Sequence, residues 1–514
     1  MGVGGETEDQ WLEEVEGVEP LAWRDEQNTT CLATLGQPTA SPLHDAILKT
    51  LDSDEKLTPL TKIDNYYYNF WIDSENPRGL WRRLSSLEGL GTQDWELVLD
   101  VDALAAEDGV SWVWHGAVDM LEQPGKPHDL VLLELSRGGS DAAVIREFSL
   151  ATKSFIEGGF EVPEAKSQVS YKGPDTLLVS SAAIAATTSG YARTVQEWQR
   201  GTELADAPTV FEARETDMMT SGSWFIDRGV VWERRHTALD FYTSEQWLSQ
   251  AGGPLVKLPV PADMQVSTFG DMLLCTLRSE WLGFAGGSLL VCDASALLQL
   301  PAGTIPNVAE FMALFTPSDT ASLEGVATTK NFVILTLLDT VKSKLVFWEY
   351  GSTGWVQLSE AEQQLDKEAN ELASVSVRAV DPDHNDSFWM MVDGFTTPTV
   401  SYVVNSPRDE PRPLQSLPAL FDASGCTVTQ HITTSLDGTA VPYFEVTKAP
   451  SGSPSPTLLY GYGGFEISMT PAYSPTVGVG WLEKGGTYVV GACDHATTIP
   501  SLGRLLCRRT CSRR

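Results

Sequence analysis

The residues with the clearest chemical potential form one short stretch, Leu458-Leu459-Tyr460-Gly461-Tyr462-Gly463-Gly464-Phe465. A short apolar run, which predicts a strand, leads into a glycine-rich turn that carries two tyrosines. Because glycine lacks a side chain, such a turn allows the backbone to approach a bound molecule closely. The pattern is typical of a loop that delivers a hydrogen-bond donor to the oxyanion formed in acyl transfer, and one preorganised donor contributes about 3 kcal/mol.

An oxyanion donor works together with a nucleophile, and a serine nucleophile requires a sharp strand-to-helix turn with the pattern G-x-S-x-G. No serine in the sequence has glycine at both flanking offsets, and Ser111 has Gly109 before it but Val113 after it. His495 has no such serine to serve. We assign a catalytic role to none of the other histidines, which are His44, His115, His128, His236, His384 and His431.

The length and composition place these residues in a large and acidic chain. The 514 residues are 42% hydrophobic and include 16 tryptophans, which suffices for more than one hydrophobic core. The formal net charge is −34, so phosphate backbones repel the chain and a nucleic-acid partner is not expected. The acidic residues are spread along the chain, which is typical of a solvated surface.

The lack of a recognisable signal peptide and the cysteine usage indicate a cytoplasmic protein. The first residues, Met1 to Glu6, lack the basic and apolar regions of a signal peptide. No apolar run approaches the roughly 18 residues that span a membrane, so we expect no membrane partner. The seven cysteines include no C-x-x-C pair, which fits free thiols in a reducing compartment.

The elements that must position the glycine loop change in character along the chain. Residues 10–60 have helical periodicity, with Leu43, Ile47, Leu48 and Leu51 on one face of a segment that follows Pro42. From Tyr66 onward short β-rich runs separated by turns take over. We expect strands at Tyr66–Trp71, Trp95–Leu99, Leu130–Leu135, Thr176–Val179, Val230–Glu233, Phe332–Leu337, Leu345–Tyr350 and Ser387–Val392.

So many short strands indicate a sandwich array, a barrel or a propeller, and the length of the stretch favours a propeller over a barrel, although no repeat signature of fixed period is present. One short helix is expected around 361–371. Near Ser435–Val446 a turn at Asp437-Gly438 joins two strand-like runs. The glycine loop, a helix end with a glycine cap and a buried strand at 487–490 follow, which is how an α/β domain begins.

After Val490 the composition reverses abruptly. Three of the seven cysteines and five arginines lie in this tail, and no acidic residue follows Asp494. A frameshift or a retained intron explains this reversal best, and a basic targeting or binding tail is the alternative. Cys493, Cys507 and Cys511 with His495 match no common zinc spacing, so we expect no metal site and no cofactor.

With these residues in view, the chain resembles the prolyl oligopeptidase family of serine peptidases from about Trp11 to Val490. The most diagnostic segment is Leu459-Tyr460-Gly461-Tyr462-Gly463-Gly464-Phe465 with Thr470-Pro471. Other motifs occur in the same order as in the family, namely Trp11–Gly17, Tyr68–Trp71, Asn76–Arg82, Ser136–Asp141, Arg146–Phe148, Gly158–Phe160, Pro163–Ser167, Phe395–Pro398 and Ser435–Val446.

The resemblance implies a mostly β architecture: an N-terminal helical segment over 1–64, a seven-bladed β-propeller over 65–425, and an α/β-hydrolase domain that begins at 426–490. Residues 491–514 would be the anomalous tail. The family cleaves short peptides, typically after proline, with a Ser-Asp-His triad beneath the propeller. Tyr462 matches the family's oxyanion tyrosine, and Phe465 matches an aromatic residue of the proline pocket. Gly463 and Gly464 would bring the loop close to the substrate.

The family places its serine, aspartate and histidine beyond Val490, in stretches that this sequence lacks. We therefore expect a peptidase truncated within its α/β-hydrolase domain, monomeric in its full-length form and inactive as written. Two alternatives stay open. The propeller would act as a binding or regulatory module without catalysis, or the chain would be a pseudoenzyme that pairs with an active paralogue.

Overall fold

The computed structural model describes residues 9–14, 16–57, 59–92, 94–121, 123, 125–301, 303–318, 320–339, 342–359, 362, 372–435, 438, 440–448, 454–462 and 469–491. The helix expected around 361–371 lies almost entirely outside the described residues, as does Asp437 of the turn expected at Asp437-Gly438. No helix among the described residues is long and apolar enough to cross a membrane.

Two helices precede the sheets, α1 (Val18–Leu35) and α2 (Pro42–Leu51). Helix α2 begins where Ser41 accepts a hydrogen bond from the backbone N–H of Leu43, with Pro42 at its first position. Leu43 and Ile47 are half-buried, whereas Leu48 and Leu51 are exposed. Of the four apolar residues expected on one face of this helix, two are therefore packed against other parts of the protein and two face solvent.

In the part of the chain that the structure describes, seven antiparallel sheets follow one another, and we call them blades 1 to 7. Blade 1 contains β1 (Thr61–Ile63), β2 (Tyr66–Trp71), β3 (Leu80–Leu84) and β4 (Glu96–Asp100), followed by α3 (Val101–Asp108). Blade 2 contains β5 (Trp112–Met120), β6 (Leu130–Arg137), β7 (Ala143–Ser149), β8 (Ser154–Phe155) and β9 (Glu161–Ala165). Blade 3 contains β10 (Ser167–Gly173), β11 (Thr176–Ser181), β12 (Thr194–Gln199) and β13 (Thr209–Glu212).

The next four blades repeat the same up-and-down order. Blade 4 contains β14 (Met219–Asp227), β15 (Val230–Ala238), β16 (Ser244–Gln250) and β17 (Val256–Lys257). Blade 5 contains β18 (Gln265–Phe269), β19 (Met272–Thr276), β20 (Leu289–Asp293) and β21 (Met312–Phe315), with α4 (Ser295–Leu298) after β20. Blade 6 contains β22 (Ala321–Thr328), β23 (Phe332–Asp339), β24 (Lys342–Gly351) and β25 (Gly354–Gln357). Blade 7 contains β26 (Ser374–Ala379), β27 (Phe388–Asp393), β28 (Val400–Val404) and β29 (Arg412–Ser416).

This sequence of sheets is a seven-bladed β-propeller, as the sequence predicts. All eight strands expected from the sequence lie in β-strands, to within one residue at the starts of β4 and β27. Apolar side chains fill the spaces between neighbouring blades, and the cluster of Leu60, Trp389 and Val403 joins blade 7 to blade 1. The Lys62 ammonium and the Asp381 carboxylate reinforce that junction with an ion pair of 2.8 Å.

One further sheet follows blade 7 in the described chain, and we call it the terminal sheet. Its strands are β30 (Thr427–Thr434), β31 (Ala440–Thr447), β32 (Thr457–Tyr460) and β33 (Thr487–Gly491), in the spatial order β30-β31-β33-β32. β32 pairs with β33 in parallel, and the other pairs are antiparallel. Helix α5 (Pro475–Gly480) connects the parallel pair, so this region has the β-helix-β order that the sequence predicts.

Helix α5 begins with Ser474, whose hydroxyl accepts a hydrogen bond from the backbone N–H of Val477, and has Pro475 at its first position. Helix α5 packs closely against α2. A Cβ atom added at Gly480 would lie only 3.7 Å from Ile47 Cδ1. The N-terminal helices and the terminal sheet therefore pack together, although some 370 residues of propeller separate them in the chain.

Gly478 in α5 makes the tightest contact of this junction. A Cβ at this position would lie 2.2 Å from the ring of Phe421, which is stacked on Tyr473 with ring centroids 5.3 Å apart. We predict that Gly478→Ala lowers the free energy of unfolding by about 1–3 kcal/mol, because the helix must shift to admit the methyl group. Urea denaturation measures this change.

The matched control for this substitution is Gly351→Ala in β24. A Cβ at Gly351 meets nothing within 4 Å, so the expected change is within about 0.5 kcal/mol. Equal effects of the two substitutions would show that close packing on Phe421 does not explain the glycine at 478.

Candidate active site

The parallel pairing of β32 and β33 determines where the glycine loop lies. Leu458 is in register with Tyr488, and Tyr460 is in register with Val490. Both strands therefore end at the same edge of the terminal sheet. In open sheets with parallel strands, ligands bind outside the carboxyl ends of those strands. The loop that follows Tyr460 leaves the sheet at this edge.

Tyr462 is the candidate site residue whose position the structure describes. It lies two residues beyond β32, and 53% of its surface is exposed. Its hydroxyl has no hydrogen-bond partner among the described residues. None of the described residues therefore competes for this hydroxyl with an oxygen atom that approaches the edge of the sheet. Gly463, Gly464 and Phe465 lie outside the described residues.

The chain beyond the glycine loop is fixed to blade 7. The Ser374 hydroxyl donates to the Pro471 carbonyl at 2.7 Å, and the Tyr473 backbone N–H donates to Asp393 Oδ1 at 2.8 Å. The Tyr473 hydroxyl accepts a hydrogen bond of 2.9 Å from the backbone N–H of Leu420. These bonds hold the far side of the loop against the propeller.

A buried cluster supports the terminal sheet from below. Phe444, Val446 and Val490 pack against Phe395 of blade 7 and Leu338 of blade 6. Leu338 lies near the end of the second strand of its blade, so the terminal sheet covers the propeller face at which the second strands end. The candidate site is therefore oriented relative to the propeller by apolar packing as well as by hydrogen bonds.

The described residues contain one hydrogen bond between a serine and a histidine. His115 Nε2 and Ser136 Oγ are 2.8 Å apart in blade 2, but Ser136 is completely buried and unable to contact a substrate. Other histidines pair with carboxylates of neighbouring residues, in the pairs His44–Asp45, His128–Asp64, His384–Asp381 and His431–Glu445. Each of these histidines therefore has a carboxylate partner, and that none of them is catalytic stays a prediction.

No group of three or more histidine, cysteine, aspartate or glutamate side chains that could hold a metal ion occurs among the described residues. The four residues considered for a zinc site from the sequence, Cys493, His495, Cys507 and Cys511, lie outside the described part of the chain.

The structure also contains a cavity that sequence reasoning missed. It has a volume of about 730 Å³ and lies between blades 4 and 5, with one side formed by blade 6. Arg234 and His236 of β15 line it. Burial lowers the pKa of both side chains, and nearby Arg234 contributes to a His236 pKa of about 4. The available signal was the basic run Arg234-Arg235-His236 in a very acidic chain.

Comparisons with known proteins agree with this architecture. Residues 6–230 match the family model described as the prolyl oligopeptidase N-terminal β-propeller domain. An uncharacterized peptidase of Sinorhizobium fredii is 32% identical over 498 residues, which cover 93% of this chain and 66% of that protein. An uncharacterized peptidase of Rickettsia prowazekii is 26% identical over 510 residues, which cover 94% of this chain and 68% of that protein. The chain thus spans about two thirds of the length of these relatives.

Solved structures share the fold. A post-proline cleaving enzyme from Rickettsia typhi superposes with a TM-score of 0.80 at 24% identity, over 94% of this chain and 71% of that one. Oligopeptidase B from Leishmania major gives a TM-score of 0.70 at 15% identity, over 94% of this chain and 66% of that one.

A seven-bladed propeller packed on a sheet with a parallel strand pair and an exposed tyrosine loop is the architecture of a propeller-bearing peptidase. The relative that is 32% identical is named a peptidase, and the propeller match names the prolyl oligopeptidase family. The chain belongs to the prolyl oligopeptidase family.

Proposed function

We propose that this protein functions in the serine-type hydrolysis of short peptides, with cleavage typically after proline, and that Tyr462 is its oxyanion donor. The observation that carries the proposal is the exposed Tyr462 hydroxyl beyond the carboxyl end of β32, which has no partner among the residues that the structure describes. The family relatives support the class of reaction, since the Sinorhizobium fredii protein is named a peptidase. The Rickettsia typhi enzyme is described as post-proline cleaving.

The proposed mechanism uses the glycine loop during acyl transfer. Attack on the scissile carbonyl places negative charge on the former carbonyl oxygen, and the Tyr462 hydroxyl would donate a hydrogen bond to it. Gly463 and Gly464 would let the backbone approach the substrate, and Phe465 would contact the proline ring. The propeller would limit access to short peptides, because the terminal sheet covers one of its faces.

The nucleophile is a separate part of the proposal. None of the 514 residues is a serine within a G-x-S-x-G pattern, and the described residues contain no exposed serine–histidine pair. We therefore propose that this polypeptide alone does not hydrolyse peptides. The oxyanion donor would then require a serine that this sequence does not supply.

The remaining expectations are part of the same proposal. The chain would comprise a helical segment (1–64), the propeller (65–425), the start of an α/β-hydrolase domain (426–490) and a tail (491–514). The protein would be a cytoplasmic monomer without nucleic-acid or membrane partners. The cysteines in the described residues are free thiols, which supports a reducing compartment.

An active-site phosphonate probe tests the proposal on two samples. We expect no labelled band at this chain's mass when the purified 514-residue polypeptide is incubated with the probe, because the elbow serine is absent. Material captured from cells with an antibody against the propeller should cleave a fluorogenic proline-containing peptide and be labelled at a serine.

The two samples separate the parts of the proposal. A labelled band from the purified polypeptide would contradict the missing nucleophile. Captured material that neither cleaves the peptide nor reacts with the probe would contradict the peptidase function and favour a non-catalytic propeller module. A known serine peptidase, labelled in the same tube, serves as the positive control for the probe.

A further inference from the structure

The cavity between blades 4 and 5 has a distinctive distribution of polar groups. Apolar side chains form much of its wall, namely Met218, Met219, Met264, Leu323 and Val326. Arg234 and Gln246 bring polar atoms to it from neighbouring strands of blade 4. Its volume of about 730 Å³ is in the range of small-molecule sites, which combine apolar walls with a few placed polar groups.

The cavity lies at the propeller face on which the candidate active site is found. It is lined by Ala238 and Thr276, which are the last residues of β15 and β19, the second strands of blades 4 and 5. The second strand of blade 6 ends close to Leu338, which packs under the terminal sheet. A ligand in the cavity would therefore occupy the same side of the propeller as Tyr462.

Arg234 is the unusual residue of this cavity. Its Nη2 donates a hydrogen bond of 3.0 Å to Gln246 Oε1, and its Nε is buried without a partner. No ion pair forms at Arg234 in the described part of the chain. The adjacent Arg235, which points to the other side of β15, pairs with Glu233 Oε1 at 2.6 Å. Of these two neighbouring arginines, one has a carboxylate partner and the other does not.

Arg234 is half-buried, and a cation that loses part of its hydration without an ion-pair partner is unfavourable, since the lost hydration is not compensated. Arg234 would be stabilised by an anion that enters the cavity, and a guanidinium matches the two oxygens of a carboxylate. Gln246 holds the guanidinium in place, because its amide donates to the Met264 carbonyl at 3.3 Å while its oxygen accepts from Arg234.

The other charged groups of the cavity limit the ligand to a single negative charge. Asp240, Asp263 and Glu324 also line it. The Asp240 carboxylate accepts backbone hydrogen bonds from Tyr242 at 2.7 Å and Thr243 at 2.8 Å, and Asp263 accepts one from the Ser279 hydroxyl. These carboxylates disfavour a polyanion such as a nucleotide, but they tolerate a ligand with one carboxylate and an apolar body.

We propose that this cavity binds the carboxylate of a short peptide, with Arg234 as the anion-binding residue and Gln246 as its positioning residue. That the body of the ligand is a peptide rests on the proposed function. The apolar wall would contact the side chains next to the carboxylate. The carboxylate would come either from the peptide's C-terminus or from an acidic side chain, and Arg234 would recognise the same two oxygens in both.

Calorimetric titration of the 514-residue polypeptide with three peptides tests this proposal. The first is N-acetyl-Ala-Pro-Ala with a free C-terminus, the second is its C-terminal amide, and the third is the amide of N-acetyl-Glu-Pro-Ala. We expect at least one carboxylate-bearing peptide to bind about 10–100-fold more tightly than the uncharged amide, which is the usual contribution of a hydrogen bond to a charged group. The free acid reports the C-terminus and the Glu peptide reports the side chain.

Variants of Arg234 assign the effect to this residue. We expect Arg234→Gln to remove the preference for carboxylate-bearing peptides and Arg234→Lys to retain part of it. Lysine keeps the positive charge but cannot donate two parallel hydrogen bonds to a carboxylate. The control is Arg408→Gln, which removes the same charge at an exposed pair with Glu349 and should leave the preference unchanged. Thermal unfolding of each variant establishes that it is folded.

Two results would overturn the proposal. One is equal binding of all three peptides to the unaltered polypeptide, and the other is a full carboxylate preference in folded Arg234→Gln. Neither depends on turnover. Carboxylate-selective binding, together with captured material that neither cleaves the fluorogenic peptide nor reacts with the probe, would count against the proposed peptidase function alone, so the two proposals fail separately.

Discussion

Replacing Glu147 with alanine is expected to lower the free energy of unfolding by about 3–5 kcal/mol. The Glu147 side chain is fully buried between blades 2 and 3. Arg200 binds it with two hydrogen bonds of 2.7 and 2.8 Å, the Tyr171 hydroxyl donates to it at 2.8 Å, and the Phe160 backbone N–H donates at 3.1 Å. Alanine would remove this acceptor from the Tyr171 hydroxyl, the Phe160 N–H and the Arg200 guanidinium. Among the described residues, only Arg200 of these three keeps other acceptors, the Pro174 carbonyl and Asp175.

The carboxylate joins two blades that also meet through apolar contacts and through the Tyr171 backbone N–H, which donates to Asp119. Phe160 belongs to the segment before β9 in blade 2, whereas Tyr171 and Arg200 belong to blade 3. The Arg200 guanidinium also lies 4.3 Å above the Phe160 ring. Because the Glu147 carboxylate is fully buried while Arg200 is partly exposed, removal of one partner costs more than removal of an exposed pair. We expect Arg200→Met to cause a loss of similar size, and the double variant to lose less than the sum.

Guanidinium denaturation monitored by tryptophan fluorescence measures these losses. The matched control is Glu164→Ala, which removes a carboxylate that pairs with Arg137 at 2.8 Å on the surface. That change should be within about 1 kcal/mol. A Glu147→Ala loss no larger than the control would show that the buried carboxylate does not hold the two blades together.

The same contacts predict how the contribution of Glu147 depends on pH. Burial raises the pKa of Glu147, but hydrogen bonds from Arg200, Tyr171 and Phe160 more than offset it, so the pKa is lowered. A lowered pKa in the folded state stabilises the protein above the unfolded-state pKa of about 4.3, and this stabilisation is lost as the pH falls through the folded value. The difference between the unaltered protein and Glu147→Gln should therefore shrink below about pH 4.

The propeller strands and the strand that leads into the glycine loop were predictable from the sequence because both depend on local patterns, whereas the seven-bladed propeller followed from the family resemblance. In runs such as Phe332–Leu337 apolar and polar residues do not alternate, as they would in a strand with one face exposed to solvent. These runs are also too short for a helix, so they indicate strands that are buried on both faces. The strand and turn from Leu458 to Phe465 are contiguous in the chain, so the position of Tyr462 beyond a strand end follows from spacing alone.

The contacts that join the blades were not predictable, since they depend on residues far apart in the chain. Glu147 and Arg200 are 53 residues apart, and the Arg234 cavity combines residues from 218 to 326. Nothing in the local sequence distinguishes Arg234, which lacks a carboxylate partner, from Arg235, which has one. Whether an arginine finds a carboxylate depends on the face of β15 from which its side chain projects. The alternation of a strand predicts that the two side chains lie on opposite faces, but it does not predict which face contains the carboxylate.

The second large effect concerns the proposed oxyanion donor. In a form of this protein that carries an elbow serine, Tyr462→Phe is expected to lower kcat by roughly 10²–10³-fold. Phenylalanine keeps the ring and removes only the hydroxyl, for which none of the described residues competes at the edge of the terminal sheet. Since the oxyanion exists only in the transition state, KM should change little, and kcat/KM should fall with kcat.

Tyr460→Phe is the matched control, because it removes the hydroxyl of the tyrosine two residues earlier. Tyr460 is the last residue of β32 and is 45% exposed, close to the 53% of Tyr462. The proposal requires the two substitutions to differ, with kcat for a fluorogenic peptide nearly unchanged in Tyr460→Phe. A rise in KM with unaltered kcat in Tyr462→Phe would instead make the tyrosine a substrate contact, because uniform binding contributes equally to the ground state and the transition state.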